Sequence, residues 1–277
     1  MQFAANAVPP RNMADLAVRR AIALYAAQTW GVAAAEIQKL AHDPLELVTR
    51  AVQPVLWLLL FGEVMAQIRG VAPGNLRYLD FLAAGILAQS CLFVAIFYGI
   101  SAIWERDLGV LQRYLVSPAP RSALVMGKAL SAGVRALSQA VIVYLLAVIL
   151  HVGIRFNPLA MIGVVGVIIL GSALFSTFSL IIACIVKTRE RFMGIGQVLT
   201  MPVFFASNAI YPLSLMPAWL RAISRANPLT YEVDALRDLM LAAGRTEYGL
   251  LADFGILLGA TLMLTAIAGR MYGRMGF

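Results

Sequence analysis

The chain is short of what usually marks an enzyme or a soluble folded domain. It has two cysteines, Cys91 and Cys184, and two histidines, His42 and His151. The cysteines lie in separate apolar runs, so no disulfide framework or Cys/His metal site is expected. Charged residues are 13% of the chain, about half the share in soluble domains. The phosphate-binding pattern G-x-x-x-x-G-K-[ST] is missing; Gly127-Lys128 has Ser122 where the first glycine would stand. H-E-x-x-H and G-x-S-x-G are missing as well. No metal, catalytic group or cofactor is therefore expected in this chain, and no polar segment has the length of a nucleotide-hydrolysing domain.

What is abundant is apolar surface. Of 277 residues, 61% are apolar, and the mean hydropathy is +0.82. A chain like this needs lipid to cover it. The net charge of +8 would suggest nucleic acid in a soluble protein. Here it is read as basic residues gathered on one side of a membrane. The first apolar run long enough to insert begins near Val52, so insertion through the spans themselves, without processing, is expected.

The pattern predicts an all-α membrane protein. Residues 1–18 read as a flexible tail and 19–277 as one transmembrane domain. Across 19–41, Ile22, Tyr25, Ala26, Thr29, Ala33, Ile37 and Leu40 share one helical face, predicting an amphipathic helix lying in the interface. Six spans are expected at about 52–68, 79–103, 134–154, 158–186, 192–211 and 250–269. Pro54 stands near the start of the first and Pro202 marks a kink in the fifth. With the N-terminus inside, fifteen of the 22 basic residues fall on the cytoplasmic side, so both termini are expected there.

Between spans five and six the chain is neither loop nor span. "YPLSLMPAWLRAIS" (211–224), bracketed by Pro212 and Pro217, predicts a short re-entrant segment at the outer surface. "NPLTYEVDALRDLMLAAG" (227–244) predicts a helix capped by Asn227, with Pro228 in its first position. Glu232, Asp234, Arg237 and Asp238 are expected to keep that helix out of the bilayer centre. No ionisable group is placed confidently at the midplane: Glu63, Asp80 and Asp253 fall near outer ends and Arg135 at an inner end. The energy for any transport is therefore expected from outside this chain.

The connection after span two is about thirty residues, far longer than a simple loop needs. Leu108, Leu111 and Leu115 make a stripe across 105–116, with Glu105, Asp107 and Arg113 on the remaining surface. Ser117-Pro118-Ala119-Pro120 then breaks the helix, and Ser122 can cap the next. A short amphipathic helix on the cytoplasmic side is expected.

Three stretches carry a resemblance. "ERDLGVLQRYLVSPAPRSALVMGK" (105–128) is similar to the coupling region of type-2 ABC transporter permeases, through Glu105, Arg106, Gly109, Leu111, Leu115, Ser117, Pro118, Gly127 and Lys128. "DPLELVTRAVQPVLWLLLFG" (43–62) resembles that family's first span and its approach. "FFASNAIYPLSLMPAWLRAISRANPLTYEVDALR" (204–237) resembles its outer re-entrant segment and Asn-Pro-Leu-Thr-Tyr motif, with Pro212, Pro217, Asn227, Pro228 and Tyr231 matching. Asn208 departs from the glycine many relatives carry. The likeness covers about residues 19–270 and is nearest the daunorubicin-resistance and nodulation-factor export permeases; the N-terminal stretch of the polysaccharide branch is not found.

The resemblance implies a multi-pass subunit of the bacterial inner membrane. A second permease chain would join it as a homo- or heterodimer, and a separate P-loop ATPase would bind ATP and Mg. Glu105, Arg106, Asp107, Leu108, Gly109, Leu111, Arg113 and Leu115 would dock on that ATPase, and Glu105 and Arg106 could form a switchable ion pair with the N-terminal helix. Phe93, Phe97 and Phe204 would line the path. An amphiphilic drug, lipid-like molecule or glycoconjugate would be exported. The alternatives from the residues are an ion-coupled secondary carrier, an integral membrane lipid-modifying enzyme, or a structural scaffold.

Overall fold

The computed structural model describes residues 52–66, 76–109, 121–186 and 188–272, together with Thr49 and six helical positions between 24 and 38. Those six are Leu24, Ala27, Trp30, Gly31, Ala34 and Gln38. The tail 1–18 and the expected interfacial stripe lie outside the described residues.

All regular structure among the described residues is helical. α1 is Val52–Gly62, with a π-helical stretch over Trp57–Gly62. α2 is Tyr78–Tyr98, α3 Ile100–Asp107, α4 Arg121–Ile149, α5 Pro158–Ile185 and α6 Arg189–Phe205. A 3-10 turn at Leu213–Leu215 precedes α7 (Ala218–Ala226), α8 (Pro228–Met240) and α9 (Leu250–Tyr272). Four helical segments are long and apolar enough to cross a membrane: Tyr78–Asp107, Leu124–Ile149, Pro158–Ile185 and Leu250–Met271. α1 and α6 are shorter.

α2 is the axis of the bundle. Its sequence is apolar on every side, as a helix enclosed by others must be. The apolar window of its span is 89% buried, against 22% for α9. α4, α5 and α8 pack around it, and α9 closes the group against α4, α5 and α8. Apolar side chains on the free faces of α4 and α9, such as Val141, Leu145, Leu251 and Leu262, are exposed, as a lipid-facing surface requires. Buried hydroxyls inside the spans donate to carbonyls of their own helix: Ser90 to Ile86 at 2.8 Å, Thr177 to Ala173 at 2.7 Å and Thr261 to Leu257 at 2.7 Å.

Three boundaries differ from the sequence expectations. The second span is not one helix, because Gly99 breaks it; Gly99 packs on Ser179, whose hydroxyl takes the Ile96 carbonyl at the break. The third span begins at Arg121 and ends at Ile149. Beyond it His151 adopts a positive φ of 54° and Ile154 bridges to Leu241, so 150–154 is not helix. α6 stops at Phe205, six residues short of the expected end, since 206–211 turns back onto α2. Of the helix expected over 105–116, only 105–109 lie among the described residues. Residues 105–107 are the last turn of α3, and Gly109, at φ 70°, ends it by donating to the Arg106 carbonyl at 3.0 Å. Leu111, Arg113 and Leu115 lie outside the described residues.

α8 was expected to be kept out of the bilayer centre by its charges; within the bundle Leu229 to Arg237 are all buried. It lies against α2, α5 and α9. Glu232 presses its carboxyl onto Gly171, the midpoint of α5, where any Cβ would collide with it. At 1.5 Å per residue Gly171 is ~20 Å from the start of α5. Close approach decides a second contact too: a Cβ on Gly85 of α2 would run into the Ala209 carbonyl, 2.8 Å from its carbon.

Gly85→Ala is therefore expected to cost about 1–3 kcal/mol. Gly259→Ala on α9, where a Cβ meets nothing within 4 Å, should be neutral or stabilising by up to ~1 kcal/mol. Thermal unfolding in detergent would show the contrast.

Candidate functional site

The bundle has two polar ends. At the first, α3 is tied to its neighbours by charge. The Lys128 Nζ of α4 lies 2.7 Å from the Glu105 carboxylate, and Lys128 is only 2% exposed. Lys128 and Arg135 both sit over the Tyr98 ring, at 5.8 and 5.4 Å from its centroid. Asp107 accepts from Arg189 at the start of α6, 3.0 Å away, and from Arg106 at 3.3 Å. Arg189 stacks at 3.9 Å on Trp104. The Asp107 pairs are about a third exposed and contribute little by themselves. The Glu105–Lys128 pair is enclosed, and an enclosed pair fixes geometry strongly because removing one partner strands the other.

Of the predicted docking residues, Glu105, Arg106 and Asp107 thus come together on α3, and Leu108 follows them, 69% exposed. Glu105 pairs with Lys128; the switchable pair expected with the N-terminal helix lies outside the described residues. Sequence reasoning quoted Gly127-Lys128 without assigning the pair, and it missed Arg189; Lys128 alone, a cation inside an apolar helix 23 residues after a carboxylate, was a usable signal.

Between the ends, Phe93 and Phe97 stack at 6.0 Å and line a cavity of about 340 Å³ with Gln53, Pro54, Ser90 and Gln139. Phe204 does not join them. It is fully buried, edge-on to Trp57 at 5.8 Å and Phe205 at 5.4 Å, so it packs the core.

At the second end the residues 205–237 form a clamp. Asn227 caps α8 by accepting from the Leu229 amide at 3.0 Å, and its side-chain nitrogen donates to the Val203 carbonyl of α6 at 2.6 Å. Pro228 fills the first helical position, where no amide donor is needed. Tyr231 donates to the Arg225 carbonyl at 2.6 Å, and the Ser224 and Thr230 hydroxyls meet at 3.0 Å. Pro212 and Pro217 stand immediately before the 3-10 turn and α7. Arg221 then closes the turn by donating to the carbonyls of Leu213 and Met216, both at 3.0 Å. The structure brings all five predicted residues of this motif into one continuous segment.

Deeper in, Arg237 donates from Nη2 to the Asn208 carbonyl at 2.9 Å and stacks on Phe81 at 3.8 Å. Asp234 Oδ2 accepts the amides of Glu247 at 2.7 Å and Tyr248 at 3.2 Å. Burial draws Arg237 down to about 10, which leaves it charged at neutral pH. Burial pushes the Asp234 carboxyl up, against the two amides that favour its ionised form. On the same side of the bundle Asp80 is held by Arg77 at 2.9 Å and by the Gly153 amide at 3.3 Å. None of these ties was foreseen; all but Arg77–Asp80 join residues farther apart than one helical turn. No group of metal-ligating side chains occurs among the described residues.

A helical bundle with one charged, helix-tethering end and one clamped end can now be compared with known proteins. The model of the ABC-2 type transporter family matches residues 27–241. The chain belongs to the ABC-2 type transporter family. Transport permease ycf38 of Cyanophora paradoxa is 32% identical over 211 residues, 73% of this chain and 70% of that protein. The daunorubicin resistance ABC transporter permease protein DrrB1 of Streptomyces coeruleorubidus is 25% identical over 76% of this chain and 74% of its own. Nodulation protein J of Rhizobium leguminosarum bv. viciae is 24% identical over 68% and 72%. The family match runs from before α1 to just past α8, so it takes in both polar ends of this ABC-2 permease.

Two outcomes follow from the geometry. Glu105→Ala, which strands Lys128, is expected to cost about 3–5 kcal/mol, and the apolar pair Glu105→Leu with Lys128→Met to recover most of it; a double-substitution cycle on thermal stability measures this. Asn227→Ser keeps a capping oxygen but cannot reach Val203, so it should cost ~1 kcal/mol, and Asn227→Ala, which loses both bonds, ~2 kcal/mol.

Proposed function

We propose that this chain is the membrane-spanning subunit of an ATP-driven exporter, in which a separate P-loop subunit binds ATP and Mg and hydrolyses the nucleotide. The observation that carries this reading is the ABC-2 family match over residues 27–241, with relatives named a daunorubicin resistance ABC transporter permease and a nodulation protein. Two permease chains, identical or related, enclose the path. The spans number six when α1 and α6 are counted with the four long ones, each reaching across a locally thinned or tilted arrangement. Positive-inside bias then puts Lys128, Arg189 and both termini in the cytoplasm of a bacterial inner-membrane protein, and the Asn227 clamp outside.

On this reading the ATPase grips the segment that starts at Glu105. Arg106, Asp107, Leu108 and Gly109 continue toward Leu111, Arg113 and Leu115, whose leucines supply the apolar contact. Because α3 is joined to α4 through Glu105–Lys128 and to α6 through Asp107–Arg189, a push on its end reaches three helices at once. The stacked Phe93 and Phe97 offer an apolar wall for an amphiphilic cargo: a drug, a lipid-like molecule or a glycoconjugate.

The test is co-purification in mild detergent followed by an ATPase assay. A P-loop ATPase is expected with the native chain, and substituting Leu111 and Leu115 by Asp should release it with at least a ~10-fold fall in recovered activity. A chain that purifies alone and still drives transport in vesicles without ATP would contradict the reading.

A further inference from the structure

Beside the clamp, a cavity of about 530 Å³ opens between the start of α2, the 3-10 turn, α8 and the 241–249 loop. Phe81, Asn208, Asp234, Arg237, Arg245 and Glu247 are part of its wall. Asn208, Asp234 and Arg237 are almost wholly enclosed, at 2%, 1% and 6% exposure. Each has an atom that no protein group satisfies: Asn208 Oδ1, Asp234 Oδ1 and Arg237 Nε. Asp234 Oδ2 is held by the 247 and 248 amides, and Arg237 Nη2 donates to the Asn208 carbonyl. Buried polar atoms are nearly always paired, so a group fixed on one side and unpaired on the other calls for a partner from elsewhere.

The charges say what kind of partner. Two guanidiniums, Arg237 and Arg245, and two carboxylates, Asp234 and Glu247, share one wall. A simple anion meets the carboxylates, and a simple cation meets the guanidiniums; a group carrying both signs a few ångströms apart satisfies both. Guanidinium forks fit phosphate oxygens better than a point charge does. The volume falls in the range of small-molecule sites. We propose that this cavity binds a zwitterionic ammonium–phosphate group, with the phosphate toward Arg237 and Arg245 and the ammonium toward Asp234 and Glu247. Such a group belongs either to a lipid of the bilayer or to a soluble or exported molecule. The proposal does not depend on ATP coupling.

The test is calorimetric titration of the native chain in phosphatidylglycerol nanodiscs with O-phosphoethanolamine, ethanolamine or inorganic phosphate. Saturable binding of O-phosphoethanolamine, at least about tenfold tighter than of either half, is expected. Arg245→Gln and Glu247→Gln, both on the exposed loop, should each weaken it about tenfold while leaving thermal stability unchanged. Equal weak responses to all three probes, or full affinity in both variants, would overturn the proposal. Given binding, a repeat in phosphatidylethanolamine nanodiscs separates the sources. A weaker apparent affinity there means the lipid head group competes for the site, and an unchanged one means the site takes a soluble group.

Discussion

The structure depends on one close approach: α8, a helix bearing Glu232, Asp234 and Arg237, lies inside an apolar bundle. Burying ionisable groups there is costly unless each is hydrogen-bonded, paired or neutral, and seating them also needs room. Two glycines allow it. Gly171 lets α5 meet the Glu232 carboxyl, and Gly85 lets α2 meet the backbone at Ala209. Once α8 is seated, its neighbours are fixed in turn. Asn227 sets the end of α6, Arg237 holds the 208 carbonyl, and Asp234 gathers the 247–248 amides. The 241–242 strand-like stretch is then drawn onto 153–155, where Ala242 donates to the Gly153 carbonyl at 2.8 Å.

Much of the fold was legible in the sequence wherever a single helix decided the matter. The span at Pro158 was read to within one residue of its end, since Asn157 and Pro158 announce its start and an unbroken apolar run carries it on. The Asn227-Pro228 cap was legible for the same reason. What escaped was set by contacts between helices. Gly99 looks permissive in a long apolar run, and only Ser179 of α5 turns it into a break. The charges of α8 read as a reason to stay out of the bilayer centre, and nothing local shows that Gly171 waits opposite Glu232. Phe204 carries the same aromatic signal as Phe93 and Phe97, and only the placement of Trp57 separates core from cavity wall. The segment expected to dock was read from local pattern, but the ties at its start, Lys128 and Arg189, lie 23 and 82 positions away from their partners.

The two ends suit different tasks. At the Lys128 end a single helix tip is linked by side chains to two others, which is what transmitting a push needs. At the Asn227 end the backbone doubles back and its polar groups are tied within the fold, as non-helical chain at membrane depth must be. Between them the apolar faces of α4 and α9 look outward. On the proposed function, a permease built this way would take energy at one surface and open or close at the other, so orientation is what that function rests on.

The most direct measurement is sidedness. With Cys91 and Cys184 replaced, single cysteines at Asp107 and Arg245 would be exposed to a membrane-impermeant maleimide on intact cells. The account requires Arg245→Cys to be labelled at once and Asp107→Cys only after the membrane is opened. Labelling of Asp107→Cys on intact cells, with Arg245→Cys protected, would invert the molecule and contradict it.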